Sequence, residues 1–269
     1  MIFSRPWTSV LAFVAAISVP MAAQAEQDED LAKQLANPVA ALISVPFDVD
    51  FDGDLGADGK GDRTIFTAKP VIPASISEDW NLISRVVLPY VSLNGVAPIG
   101  DESGLGDSLA SFFFSPKAPT AGGWIWGAGP ALLLPTATED VLGSEKWGIG
   151  PTGVALKQEG PWTYGMLANH VWSFAGDSDR ASYNRSFLQP FLTYTTATAT
   201  SFTVQTESTY DWEIEEWTVP VNVLVGQVVK VGDQLVQLRG GVRYWVDSPA
   251  GAGPDGWGFK LAVTLLFPR

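Results

Sequence analysis

His170 is the single histidine of the chain, and in "NHVWS" it stands three residues before Ser173. A serine beside a histidine is the core of acyl-transfer chemistry, because the imidazole takes the hydroxyl proton as the oxygen attacks a carbonyl. Catalysis on a strand needs the two on one face, and residues three apart point to opposite faces. Ser173 fails that test. His170 reads as an interfacial residue beside Trp172, no catalytic residue is expected, and no lipase activity is expected.

A second constellation is "DVDFDGDLGADG", Asp48 to Gly59. Asp48, Asp50, Asp52, Gly53 and Asp54 imitate the opening of an EF-hand loop, but Gly59 stands where the bidentate glutamate is required. What remains is a weak surface site for Ca²⁺ or Mg²⁺ on Asp50, Asp52 and Asp54, or simply an acidic turn. No dedicated metal site and no cofactor are expected. The third constellation is a set of charges of both signs on strand-like segments: Asp48, Asp50, Lys69, Arg85, Asp107, Glu207, Asp211, Arg239, Arg243 and Lys260. They suit a wet interior and are costly in a dry core. They are candidates to line a pore constriction and set its selectivity, or to pair and fill a narrow barrel.

The elements that carry these residues alternate in twos. In "VAALISVPFDVDF" Val39, Ala41, Ile43, Val45, Phe47, Val49 and Phe51 form one apolar face, with Ser44, Asp48 and Asp50 on the other. The pattern recurs at roughly 64–72, 80–92, 107–116, 123–135, 147–156, 162–174, 185–195, 201–212, 217–228, 235–246 and 257–267. Twelve strands of this length exceed the usual globular strand of about five or six residues and reach the roughly 9–11 needed to cross a bilayer. Connections alternate long and short, the plan of an outer-membrane barrel with extracellular loops and periplasmic turns. The first long loops are expected at 52–63 and 93–106. Trp80, Trp124, Trp126, Trp147, Trp162, Trp172, Trp212, Trp217 and Trp257 fall near strand ends, as interfacial girdles do, with Trp245 slightly further in. Pro46, Pro70, Pro89, Pro130, Pro151, Pro190 and Pro220 fall inside strands. A closed barrel has no edge for a residue without an N–H, so bulges or breaks are expected there, Pro130 above all.

The N-terminus reads as a secretory signal: Arg5, then "VLAFVAAISVPMAA", then "AQA" at 23–25. Cleavage before Glu26 removes Arg5 and no acid, so the net charge moves from −13 to −14. That acidity disfavours nucleic acid as a partner. With no cysteine among 269 residues, neither disulfides nor thiolate sites are available. "DEDLAKQLANP", 28–38, reads as a short helix stopped by Pro38, a possible periplasmic plug. The expected organisation is a signal peptide at 1–25, the helix within 26–38, and an all-β up-and-down antiparallel barrel of about twelve strands over 39–269, in the bacterial outer membrane.

Several stretches resemble the MetA-pathway phenol degradation transporter-like family of outer-membrane proteins: "LAKQLANPVAALISVPF", "EDWNLISRVVLPYV", "GLGDSLASFFFSPK", "GGWIWGAGPALLLPTAT", "GPWTYGMLANHVWSFAGD", "LQPFLTYTT" and "ESTYDWE". The resemblance runs from about Leu31 to the end of the ninth strand. It implies an outer-membrane barrel that passes small solutes, hydrophobic or aromatic ones among them, and it brings no catalytic motif. The partners expected are outer-membrane lipid and lipopolysaccharide, a small-molecule solute and the barrel assembly machinery. Outer-membrane barrels commonly end on an aromatic residue. Phe267 has that parity, but Pro268 and Arg269 follow it. The rival readings are a closed structural or adhesive surface barrel and an outer-membrane lipase.

Overall fold

The computed structural model describes residues 28–267. The expected signal peptide lies outside the described residues. A helix, α1, covers 28–35. Twelve strands follow: β1 (Ile43–Leu55), β2 (Gly61–Ala68 and Val71–Ser75), β3 (Trp80–Val96), β4 (Gly100–Leu105 and Ser108–Pro116), β5 (Trp124–Leu134), β6 (Lys146–Glu159), β7 (Trp162–Gly176), β8 (Asn184–Thr195), β9 (Thr200–Thr206 and Ser208–Asp211), β10 (Glu216–Val231), β11 (Gln234–Asp247) and β12 (Trp257–Phe267). Each pairs antiparallel with the next, and β1 pairs with β12 from Ile43↔Phe267 to Asp52↔Gly258. That last ladder closes the barrel.

The period-two pattern sorts side chains between two surroundings. Outward positions carry exposed apolar groups such as Phe47, Phe66, Val204, Val223, Leu261 and Val263. Inward positions are buried and hold both the charged residues and a set of large apolar ones. An exposed apolar band around a closed barrel is the surface that hydrocarbon solvates. Two aromatic belts bound it. Trp80 and Trp126 pack edge to face at 5.8 Å, as do Trp162 and Tyr194 at 4.9 Å, at the end that carries the short turns. Tyr210 touches Trp212 and Trp217 at the other end, where Tyr244 also meets Trp257. Trp245 belongs to neither belt. Its parity is inward, with Arg239 and Arg243, and it is only 7% exposed.

The strands depart from expectation in one direction. The first begins at Ile43 instead of 39, because residues 39–42 turn into the lumen, where Val39 and Leu42 are buried. Two expected long loops are mostly strand. β1 and β2 are joined by residues 56–60 alone, and β3 and β4 by 97–99. Acidic and glycine-rich sequence read as loop there, but Asp52 is an inward strand residue paired opposite Arg63.

The prolines do what a missing N–H requires. β2 is interrupted at Lys69–Pro70, opposite Pro46. β4 is interrupted at Gly106–Asp107, opposite Pro89, and its register against β3 shifts by one across that bulge. The β8–β9 ladder is open at Gln189–Pro190, where β9 is broken at Glu207. β10 shifts register against β11 between Val219 and Pro220. At Pro130 the β4–β5 ladder skips Phe112 and Phe113 without changing register, so it is broken and not bulged. Pro151 makes the same gap between β6 and β7, and the two prolines face each other across β5–β6.

Each of those last two prolines follows a glycine that the backbone crowds. A Cβ on Gly129 would strike the Phe112 carbonyl oxygen, and one on Gly150 the His170 carbonyl oxygen. Only glycine tolerates so close a strand approach. The wild-type barrel should migrate on a gel with the heat-modifiable shift of a folded outer-membrane protein. Gly150→Val should lose much of that fast-migrating form, since crowding against backbone costs about 1–3 kcal/mol or more. A normal shift in the variant would show that the gap is not needed.

Candidate functional site

The lumen is divided lengthwise. Inward residues of β3 to β8 include the large apolar group of the lumen: Ile83, Phe113, Val154, Leu156 and Leu167 cluster around Val39, with Phe187 and Phe191 against them. Among them stand small polar side chains such as Ser111, Thr152 and Thr193 and one cation, Arg85. Ala131, Leu133 and Val171 continue this wall, packed with Leu109 and Tyr183. The opposite wall, formed by β9 to β12 with β1 and β2, carries the charges.

β1 sets that wall by parity. Asp48, Asp50 and Asp52 point inward at successive steps of about 6.6 Å, two residues of strand rise. Asp50 lies opposite Lys260 in the β1–β12 ladder, and the ammonium reaches its carboxylate at 3.0 Å. The same ammonium stands 3.4 Å from Asp48 and 3.2 Å from Glu207. Lys69 pairs with Asp48 at 2.7 Å and with Glu207 at 3.8 Å. Arg243 is the hub: it reaches Asp50 at 2.9 Å, Asp52 at 3.2 Å and Glu207 at 3.4 Å. Its Nε donates to Asn222 Oδ1 at 2.9 Å. Arg63 closes the far side on Asp52 at 2.8 Å, and Trp245 Nε1 donates to the other Asp52 oxygen at 3.0 Å. Both guanidiniums lie near the Trp245 ring, at 5.9 and 5.4 Å.

Four carboxylates and four cations thus form one network, with Arg243 4% and Lys260 2% exposed. Lys69 and Glu207 sit at the proline-induced breaks in β2 and β9. A broken ladder lets a long side chain leave the regular strand spacing and reach across. The network separates a cavity toward α1, lined by Asp48, Lys69 and Glu207, from an extracellular one lined by Asp54, Trp245 and Asp255.

The mouths are narrowed by other parts of the chain. Leu31 and Ala32 of α1 are buried against Leu42, Ala199, Val228 and Leu266 at the periplasmic end. At the extracellular end the 135–145 connection folds inward. Asp107 holds it, accepting from Ser144 N–H at 2.7 Å, Ser144 Oγ at 2.6 Å and Ala137 N–H at 3.3 Å. Leu142 packs beside Leu55, Leu93 and Val96.

Of the ten charges expected to line the lumen, Asp48, Asp50, Lys69, Glu207, Arg243 and Lys260 meet in the network. Arg85 and Arg239 line the cavity below it. Asp107 and Asp211 stand apart: Asp107 anchors the loop, and Asp211 pairs with Arg185 at 2.7 Å. Three partners were not expected in this role: Asp52, Arg63 and Trp245. Continuing the Asp48–Asp50 alternation by one more step finds Asp52, and parity with Arg243 finds Trp245. Asp50 and Asp52, expected beside Asp54 as a surface cation site, are buried. Both carboxylates point inward and are held by lysine and arginine, and of the three only Asp54, near the end of β1, stands beside the turn.

His170 has a closer neighbour than Ser173. Ser186 lies directly across the β7–β8 ladder, and its Oγ is 2.9 Å from His170 Nδ1. Trp212 Nε1 donates to the same oxygen at 2.9 Å. Parity along one strand could not reveal a cross-strand pair. Among the described residues no carboxylate orients the imidazole, so the pair ties β7 to β8 and β9 at the extracellular belt.

No family model and no curated protein matches the chain. Among solved structures, the COG4313 outer membrane channel from Pseudomonas putida F1 is similar over 84% of this chain and 96% of that one, with a TM-score of 0.65 at 16% identity. The β domain of the Bordetella autotransporter BrkA matches over 84% of this chain and 100% of that one, at 10% identity and a TM-score of 0.44. OprB of Pseudomonas putida matches over 84% and 91%, at 9% identity and a TM-score of 0.36. The last two are too distant to add to the argument. With the first, the closed twelve-stranded ladder and its aromatic belts, the chain has the fold of a bacterial outer-membrane β-barrel.

Proposed function

We propose that the chain is an outer-membrane channel that passes small amphipathic solutes, hydrophobic or aromatic ones among them, by passive or facilitated diffusion. The observation that carries this reading is the two-sided lumen: the wall from β3 to β8 holds the large apolar clusters, and the other holds the ion-pair network. An apolar body can slide along the first wall while its polar groups exchange partners on the second. In this reading the network is the constriction, and Asp48, Asp50, Glu207, Arg243 and Lys260 set selectivity. Residues 39–269 act as one barrel domain, and α1 acts as a periplasmic plug behind a cleaved leader. Outer-membrane lipid and lipopolysaccharide contact the Trp belts, and the assembly machinery reads the last strand. The sequence resemblance to the phenol degradation transporter-like family and the likeness to an outer-membrane channel both support this role. No chemical step is part of it.

Planar bilayers and liposome swelling test the proposal. The folded protein should give small, discrete conductance steps and admit small phenolic solutes, which should also block ion current. If neither the full chain nor a form lacking α1 conducts, the channel reading fails and a closed structural or adhesive barrel takes its place.

A further inference from the structure

Between α1 and the ion-pair network lies a cavity of about 130 Å³. Asp48, Lys69 and Glu207 roof it, and Gln34 and Leu35 close it from the helix side. Two guanidiniums line it, Arg85 from β3 and Arg239 from β11. Neither forms an ion pair with a carboxylate among the described residues. The Nε of Arg239 is buried and makes no hydrogen bond.

The charge count around the cavity is uneven. Four acids of the network are already shared by four bases, so Arg85 and Arg239 leave two cations in excess. Asp48 and Glu207 attract them at longer range but are held in contact by Lys69 and Lys260. Both side chains are half-buried, and a partly desolvated cation without a contacting carboxylate favours an anion beside it. The rest of the lining is mixed, and includes the amides of Gln205 and Gln237 and the side chains of Leu42 and Leu167. One further atom is unfilled: Asp48 Oδ1 is buried with no donor facing it.

We propose that this cavity is a binding subsite for a small organic carboxylate with an apolar body. The carboxylate takes charge-assisted hydrogen bonds from Arg85 and Arg239, the body lies on the leucines, and a ligand hydroxyl reaches Asp48 Oδ1. The acidic extracellular turns do not decide against an anion here. They lie on the far side of the network, and exposed charges are screened over about 8 Å at physiological salt. The inference deepens the channel reading and rests on it for its biological sense, but binding can be measured without conduction.

The test is calorimetric titration of the folded barrel in detergent with benzoate, 4-hydroxybenzoate and the neutral isostere benzamide. Benzoate should bind, 4-hydroxybenzoate more tightly, and benzamide at least about tenfold more weakly, the size expected for losing a hydrogen bond to a charged group. Arg85→Gln with Arg239→Gln should abolish benzoate binding, and Arg239→Lys should keep part of it. Heat-modifiable migration confirms that each variant is folded. Equal affinity for benzoate and benzamide, or benzoate binding untouched by the double substitution, would overturn the subsite. Conductance without benzoate binding removes the subsite and leaves the channel. Benzoate binding without conductance does the reverse.

Discussion

Arg243→Met lowers the temperature at which the barrel loses its folded gel mobility and makes its conductance larger and more cation-selective. The side chain is buried and holds three carboxylates together: Asp50 at 2.9 Å, Asp52 at 3.2 Å and Glu207 at 3.4 Å. Without it four acids share three bases, Lys69, Lys260 and Arg63. Removing one partner from a buried pair costs about 3–5 kcal/mol, and a lumen that admits water brings the cost toward the lower end. Met fills similar volume, so the loss is electrostatic and not a cavity. Arg243→Lys keeps the charge but gives one compact ammonium where a planar fork met three partners and Asn222. It should recover only part of the loss. Adding Asp50→Asn to Arg243→Met restores the balance of three acids to three bases and should recover stability while the wider pore remains. Unchanged thermal mobility and ion selectivity in Arg243→Met would show that the network neither braces the barrel nor gates it.

The barrel itself was legible because period-two alternation is set by backbone geometry and survives any choice of neighbours. Phe47, Val49 and Phe51 against Asp48 and Asp50 fix two faces before any partner strand is known, and the β1–β12 register follows that parity. The same rule, stopped two residues early, hid Asp52: "DFDGD" has the composition of a turn, and composition won over parity. Trp245 was misplaced for the converse reason. Its distance from a strand end resembled that of a girdle residue, while its parity with Arg243 pointed inward. Cross-strand meetings were the least legible. Nothing along the chain brings Ser186 to His170, Arg63 to Asp52 or Glu207 to Lys260, because register depends on turns and bulges set elsewhere. The division of the lumen into apolar and charged walls is of this kind. Each strand shows its own inward residues, but only closure shows that β3 to β8 share one wall.

The seven strand prolines join these levels. They looked like an objection to a closed sheet, yet each coincides with a gap or shift in a ladder, and two of the gaps free Lys69 and Glu207 to enter the network. Lost backbone hydrogen bonds in a wall facing lipid are costly unless met from the lumen side. The charged wall, where inward polar groups are dense, holds the interruptions at Lys69–Pro70, Glu207 and Pro220, and the one in β4 falls at the inward carboxylate Asp107. Gly129–Pro130 and Gly150–Pro151 lie on the other wall, where the ladders have a gap and the strands approach too closely for any Cβ.

Leu31→Ala opens the periplasmic mouth without touching the barrel. Leu31 and Ala32 are the buried face of α1, seated on Leu42, Ala199, Val228 and Leu266. Gln158 adds one tether, its side-chain amide donating to the Lys33 carbonyl at 2.8 Å. A helix of two turns is not stable alone in water, so its docking depends on these contacts. Truncating a buried leucine to alanine costs about 2–5 kcal/mol. At about 1.4 kcal/mol per factor of ten, a loss near 3 kcal/mol shifts docking by about a hundredfold toward release. Conductance should rise and flicker less, limited-protease cleavage within 28–38 should accelerate, and thermal gel mobility should stay at the wild-type value. Deleting residues 28–38 behind the signal segment should give the same conductance as Leu31→Ala. If both forms conduct as the full chain does, α1 is not the periplasmic plug and the ion-pair network alone limits flow. If Leu31→Ala also lowers thermal stability, the helix is a brace of the barrel end rather than a removable cover. The contrast with Arg243→Met is then diagnostic: one variant changes flow with selectivity preserved, and the other changes both together with stability.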